Sequence, residues 1–131
     1  MKNSYLCPKC NGYLNVGEDI IFSVKTKSKD VGLIILSMKL GDYSARNNPK
    51  FKYKSGERVD FFCPICHANL AAKNINENLA KVKMVDDENN EFTIVFSGIA
   101  GEKCTYKIKQ NIEAFGEDSK KYMKYLHLGS M

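Results

Sequence analysis

Along most of this chain apolar and polar residues alternate with a period of two, the spacing of a strand with one buried face. Ile20, Phe22 and Val24 share one face of residues 19–24. Phe51 and Tyr53 alternate with Lys50, Lys52 and Lys54, which predicts a half-exposed strand over 50–54. Residues 58–62 form another short strand. Val82 and Met84 stand between lysines, and after a polar turn at 86–90 Phe92, Ile94 and Phe96 share a face, a hairpin pattern. Cys104, Tyr106 and Ile108 mark a last strand. Residues 31–40 are nearly continuously apolar and read as a buried strand, although periodicity alone leaves a short helix open. Residues 41–49 and 97–103 have loop composition, and the asparagine-rich stretch 70–79 reads as a connection. Only 119–128 has a helical stripe, with Tyr122, Met123, Tyr125 and Leu126 on its apolar side and Asp118 placed as its N-cap. The pattern predicts a mainly β fold, a β-rich α+β chain with one short C-terminal helix.

Two stretches interrupt the alternation in the same way. Tyr5-Leu6-Cys7-Pro8-Lys9-Cys10 is followed by Leu14, and Phe61-Phe62-Cys63-Pro64-Ile65-Cys66 by Leu70. Each sets two cysteines three positions apart around a proline, and four thiolates in two such pairs are what a closed tetrahedral metal site requires. Proline fixes φ in each turn, and Gly12 is expected to supply an unusual backbone angle in the first. Such turns aim backbone N–H groups at the sulfurs, which favours the thiolate. The two pairs are the only internal repeat that the sequence displays.

These CPxC stretches resemble the knuckles of zinc-ribbon and rubredoxin-like proteins, over about twenty residues of the chain. The resemblance implies one site with Cys7, Cys10, Cys63 and Cys66 as its ligands and a structural Zn2+. Asn11 and His67 stand where glycine is common in such knuckles, and 52 residues separate Cys10 from Cys63, far more than in a minimal ribbon. The intervening chain must then be a folded β insert whose ends the metal clamps. The expected organisation is a ribbon-like unit over 1–75 and a hairpin, strand and helix over 76–131, packed on one core.

Other readings of these cysteines fit less well. Iron on the same ligands would make an electron carrier, and sequence does not separate the two metals. Cys63-Pro64-Ile65-Cys66-His67 also matches the c-type haem pattern, but that chemistry needs export and leaves Cys7 and Cys10 idle. A redox dithiol lacks its βαβ context. His67 reads as a partly exposed turn histidine, His127 as a helix-end residue and Cys104 as a small buried hydrophobe.

Composition narrows the class further. The chain has 131 residues, 44% of them hydrophobic, and no tryptophan; no apolar run approaches the length of a membrane span. No secretory signal pattern follows Met1, so the cytoplasm is the expected compartment, where CxxC pairs are metal ligands rather than disulfides. The net charge of +5 is concentrated in 25–54, where eight basic residues face Asp30 and Asp42. Lys25, Lys27, Lys29, Lys50, Lys52 and Lys54, with Phe51, Tyr53 and Tyr43 among them, could hold phosphates and stack on bases; the plainer reading is a solvated lysine face. No catalytic arrangement of side chains emerges, and an enzyme is not expected. The expected function is a zinc-stabilised protein-interaction or regulatory module, with a protein partner or a second copy as ligand and no membrane. Nucleic-acid binding through 25–54 is the alternative.

Overall fold

A computed structural model describes residues 3–129, with side chains through Leu126. Ten strands, β1 (Ser4–Leu6), β2 (Asn15–Val16), β3 (Asp19–Lys25), β4 (Val31–Ser37), β5 (Ala45–Asn47), β6 (Asp60–Phe62), β7 (Leu79–Val85), β8 (Glu91–Ser97), β9 (Thr105–Ile108) and β10 (Ile112–Phe115), precede a 3-10 turn at Ser119–Tyr122 and helix α1 (Met123–Gly129). The fold is mainly β, as the alternation predicts. One antiparallel sheet runs β1-β7-β8-β9-β10; the other runs β2-β3-β4-β5, with β6 also on β3. The apolar run after Val31 is strand β4, paired along its whole length with β3, but it ends at Ser37 and is not the buried strand expected. Ile34 alone in it is buried, because the outer face carrying Val31 and Leu33 has no cover among the described residues.

The two sheets are structural copies. From the knuckles to Leu14 and Leu70 equivalent residues lie 56 positions apart (Cys7 and Cys63), and from β3 and β7 onward 60 apart (Asp19 and Leu79). The register repeats residue by residue. Ile34 pairs with Asn47 and Ile94 with Lys107; Leu36 pairs with Ala45 and Phe96 with Thr105. Lys29 and Asn89 take the same left-handed φ in the β3–β4 and β7–β8 turns, and Gly41 and Gly101 share a φ of 91°. The repeat thus spans most of the chain, a correction to the sequence reading that confined it to the knuckles. Beyond the knuckles it is a repeat of backbone register rather than of residues, because alternation can be satisfied by many side chains.

The copies are interlocked. β1, which leads into the first knuckle, pairs with β7 of the second copy, Tyr5 opposite Met84; β6, which leads into the second knuckle, pairs with β3 of the first copy, Phe61 opposite Val24. After each knuckle the chain joins its own hairpin: Asn15 pairs with Ile20, and Ala71 bridges Ala80. Each knuckle is therefore a crossover from one sheet to the other. Between the sheets, Phe22 and Phe61 from one meet Phe96 from the other with ring centroids 5.1–5.5 Å apart. Phe61 meets both other rings edge-to-face and Phe22 is tilted against Phe96, contacts that add to the burial of large apolar area.

The copies differ at their ends. After β5 the chain has no strand at 50–54, contrary to the alternation: Phe51 is buried against Gly32, where a Cβ would lie 2.8 Å from the ring, and the Asn47 amide donates to the Phe51 carbonyl. The chain then crosses to the second copy, where Val59 N–H donates to Gly98 O at 2.8 Å. After β9 it instead folds back as β10. The C-terminal segment covers the outer face of the β7–β10 sheet, with Tyr122 and Leu126 packed on Val95, Cys104 and Tyr106. Asp118 does not cap through its side chain; its carboxylate accepts from Lys103 N–H at 2.8 Å. His127 belongs to α1, but its side chain lies outside the described residues.

Glu102 anchors this segment, accepting from Tyr122 Oη at 2.8 Å, Ser97 Oγ at 2.6 Å and Lys121 Nζ. Burial alone would raise its pKa, but the donors Lys121, Ser97 and Tyr122 outweigh it and hold the carboxyl below its ordinary value. A depressed carboxylate contributes stability above its unfolded pKa that is lost as pH falls through the folded one. The C-terminal segment is therefore expected to loosen below about pH 4, read as faster amide exchange at 119–126, and Glu102→Gln should flatten that dependence. Backbone strain offers a second check. Gly116 has a φ of 97°, and a Cβ there would collide with the Lys103 carbonyl, whereas Gly17 (φ 61°) has nothing within 4 Å of an added Cβ. Urea titration should show Gly116→Ala costing about 3 kcal/mol and Gly17→Ala about 1–2 kcal/mol.

Candidate metal centre

The two crossovers meet. The Sγ atoms of Cys7, Cys10, Cys63 and Cys66 all lie within 4.8 Å of one another. Cys7 and Cys66 Sγ are 3.8 Å apart, as are Cys10 and Cys63 Sγ. Sulfurs at ~2.3 Å from a central ion in a regular tetrahedron are about 3.8 Å apart. A disulfide would need ~2.05 Å. The four residues named from the sequence are thus brought together, and their spacing fits one tetrahedral ion.

Each knuckle is the same turn. Cys7 N–H donates to Gly12 O and Asn11 N–H to Cys7 O; Cys63 N–H donates to Ala68 O and His67 N–H to Cys63 O, all at 2.9–3.0 Å. This winding requires a left-handed residue after the second cysteine, and Asn11 (φ 60°) and His67 (φ 66°) occupy that place. Asparagine and histidine are enriched in this region of backbone space. The unusual angle expected at Gly12 is at Asn11 instead. Gly12 is required for closeness: a Cβ would lie 2.6 Å from Ile65 Cδ1 of the other knuckle and 3.2 Å from Cys10 Sγ.

The turns aim N–H groups at sulfur. Lys9 N–H reaches Cys7 Sγ and Ile65 N–H reaches Cys63 Sγ at 3.3 Å; Gly12 N–H reaches Cys10 Sγ at 3.3 Å and Cys66 N–H reaches Cys63 Sγ at 3.4 Å. Burial would raise the Cys63 thiol, but the N–H donors from Cys66 and Ile65, with the Cys66 and Cys7 side chains, bring it down to about 7. Cys7 is pushed up, by burial first and then by its contacts with the Cys66 and Cys63 side chains. The Cys63 thiol is thereby eased towards the thiolate, and a bound cation would favour that form at every ligand. Cys7 and Cys63 are buried and Cys10 and Cys66 exposed, so the site sits at the surface end of the interface between the sheets.

The other candidate residues lie elsewhere. Cys104 is buried on the outer side of the β7–β10 sheet, and burial pushes its thiol up to about 11, the small hydrophobe expected. Lys27 and Lys29 are in the β3–β4 turn, with Lys25 at the end of β3. Because Phe51 packs on Gly32 at the start of β4, Lys50 and Lys52 come to the same end of the sheet. The aromatic residues interleaved with them are turned inward: Phe51 is in the core, and Tyr43 Oη donates to Phe115 O at 3.0 Å. The exchange of β1 and β6 went unread in the sequence. The duplication beneath it did leave a sparse signal, the paired spacing Cys7–Leu14 and Cys63–Leu70 continued through Ile34 and Ile94, Gly41 and Gly101, Gly56 and Gly116.

A tetrathiolate zinc site contributes on the order of 10–16 kcal/mol at neutral pH, as much as the ~5–15 kcal/mol net stability of an ordinary domain. Since each knuckle joins both sheets, Cys7→Ser and Cys63→Ser should each abolish the cooperative urea transition of the whole chain, as should excess chelator. Circular dichroism showing one sheet still folded would contradict this. No family model, curated protein or solved structure matches the chain.

Proposed function

We propose that the protein is a non-enzymatic interaction module of the cytoplasm in which Cys7, Cys10, Cys63 and Cys66 hold one structural zinc ion. A complete set of four sulfurs leaves no open position for a substrate or water, which favours a structural over a catalytic ion. The bound ion would supply cross-linking alone; positioning comes from the chain, through the four N–H···S contacts and the two left-handed residues. Iron would suit the same ligands. Elemental analysis with a visible spectrum separates the two, zinc being expected, with one equivalent per chain and no colour.

The observation that carries the interaction reading is an asymmetry between the copies. Val95 and Tyr106, on the outer face of one sheet, are fully buried by the C-terminal segment. Their equivalents Ile35 and Arg46 lie on the outer face of the other sheet, beside Leu33 (56% exposed) and Val31 (70% exposed). The strip that Tyr122 and Leu126 cover in one copy has no such cover at Ile35 and Arg46 in the other, where Val31 and Leu33 stand exposed in place of Glu91 and Thr93. Exposed apolar side chains of this kind mark interaction sites. A protein partner or a second copy could take the same place. Light scattering on a concentration series and capture by the immobilised protein are expected to show association that Val31→Lys/Leu33→Asp removes while the urea transition moves by less than about 1 kcal/mol.

Nucleic-acid binding by 25–54 is supported by the lysines gathered at one end of the same sheet, and weakened by burial of Phe51, which is then unable to stack on a base. If this reading holds, a salt titration should give a log–log slope near −4.5 for about five phosphates, and Lys50→Glu/Lys52→Glu/Lys54→Glu should flatten it.

A further inference from the structure

We propose that the space between the two sheets binds a small amphiphile, an apolar body with an anionic head, of the medium-chain or aryl carboxylate class. A cavity of about 240 Å³ lies between the inner faces. Its walls come from both copies: Ile34 and Ile94, and Leu36 and Phe96, are equivalent pairs across it. Protein interiors leave few voids larger than a water molecule, and an apolar cavity of ~150 Å³ already takes up benzene. The space here exceeds that, and its inner walls are strand residues such as Ile20, Phe22, Ile34, Val82 and Ile94.

The chemistry of the lining selects the ligand. Polar groups within it are used internally: Tyr5 Oη donates to Met38 O at 2.8 Å, and Tyr43 Oη to Phe115 O. That leaves an interior suited to hydrocarbon. The exposed lining residues, Lys39, Asp42 and Lys103 among them, belong to the β4–β5 and β8–β9 loops, which places the mouth between these two loops. The mouth's carboxylates keep their charge: Asp42 accepts from Ser44, and Glu102 accepts from Ser97 and Tyr122 and is ion-paired with Lys121. Lys39 forms no ion pair among the described residues, and Lys103 Nζ is 3.7 Å from the exposed Glu117. Lys39 is thus the cation at the mouth without an ion pair among the described residues, and the group that a carboxylate head would meet.

The site is independent of the outer face and of the identity of the metal. The test is a methyl NMR titration of the metal-loaded full chain with octanoate, 4-phenylbutyrate and, as an uncharged control, octanol. Saturable shifts are expected at the methyls of Ile34, Ile94 and Leu36, with Val31 and Leu33 unmoved. Lys39→Glu should weaken octanoate about tenfold, a loss of ~1.4 kcal/mol, and leave octanol unchanged. Ile94→Phe, or its equivalent Ile34→Phe where the first does not fold, should fill the space and remove binding. No shift up to about 10 mM ligand, or shifts confined to Val31 and Leu33, would overturn the proposal. Equal binding of octanol and octanoate in wild type and Lys39→Glu alike would overturn its anionic head.

Discussion

The structure depends on two backbone crossovers held together by four sulfur atoms. Each CPxC turn takes the chain from the edge of one sheet to the edge of the other, and the turns meet with sulfurs 3.8 Å apart. Neither sheet is complete without a strand from the other copy, since β1 lies on β7 and β6 on β3. A cation among the sulfurs would close both crossovers at once. The long separation between the cysteine pairs thereby acquires a physical meaning. The insert is the first of two interlocked sheets, and the hairpin and strand that follow the second pair are the other.

Interlocking explains how two small sheets share the buried cluster between them, while a second cluster lies under the C-terminal segment. Tyr5, Phe22, Phe61 and Val82 contribute to the same buried cluster although they come from different copies. The aromatic trio of Phe22, Phe61 and Phe96 crosses the interface near the cavity, where complementary packing is incomplete and space remains. Where the copies diverge, the divergence is at the outer faces. Tyr122 and Leu126 seal one, while Val31 and Leu33 leave the other open. A repeated backbone with unequal surfaces is what separates a scaffold from a site that can bind.

Much of the strand structure was legible because half-burial imposes a period of two. Ile20, Phe22 and Val24, and later Val82 and Met84, could face only one way. The same logic failed at 50–54, where Phe51 packs on Gly32 without a paired strand: alternation reports which side is buried and says nothing about which neighbour supplies hydrogen bonds. It failed again at Asp118, whose carboxylate serves the Lys103 amide, a contact fifteen residues away in the chain. In the knuckles glycine was the expected left-handed residue, yet Asn11 and His67 adopt that conformation, and Gly12 is small because Ile65 lies against it.

By itself, then, the sequence determined the local features: strands from alternation, a metal-binding set from the chemistry and spacing of four cysteines, and a charge imbalance in 25–54. These depend on residues near one another in the chain. The exchange of β1 and β6, the exposed face at Val31 and Leu33 and the cavity between Ile34 and Ile94 were decided by tertiary structure alone. Edge pairing offers every strand several partners through the same backbone groups. Only the joint packing of both apolar faces, together with the meeting of the cysteines, selects among them.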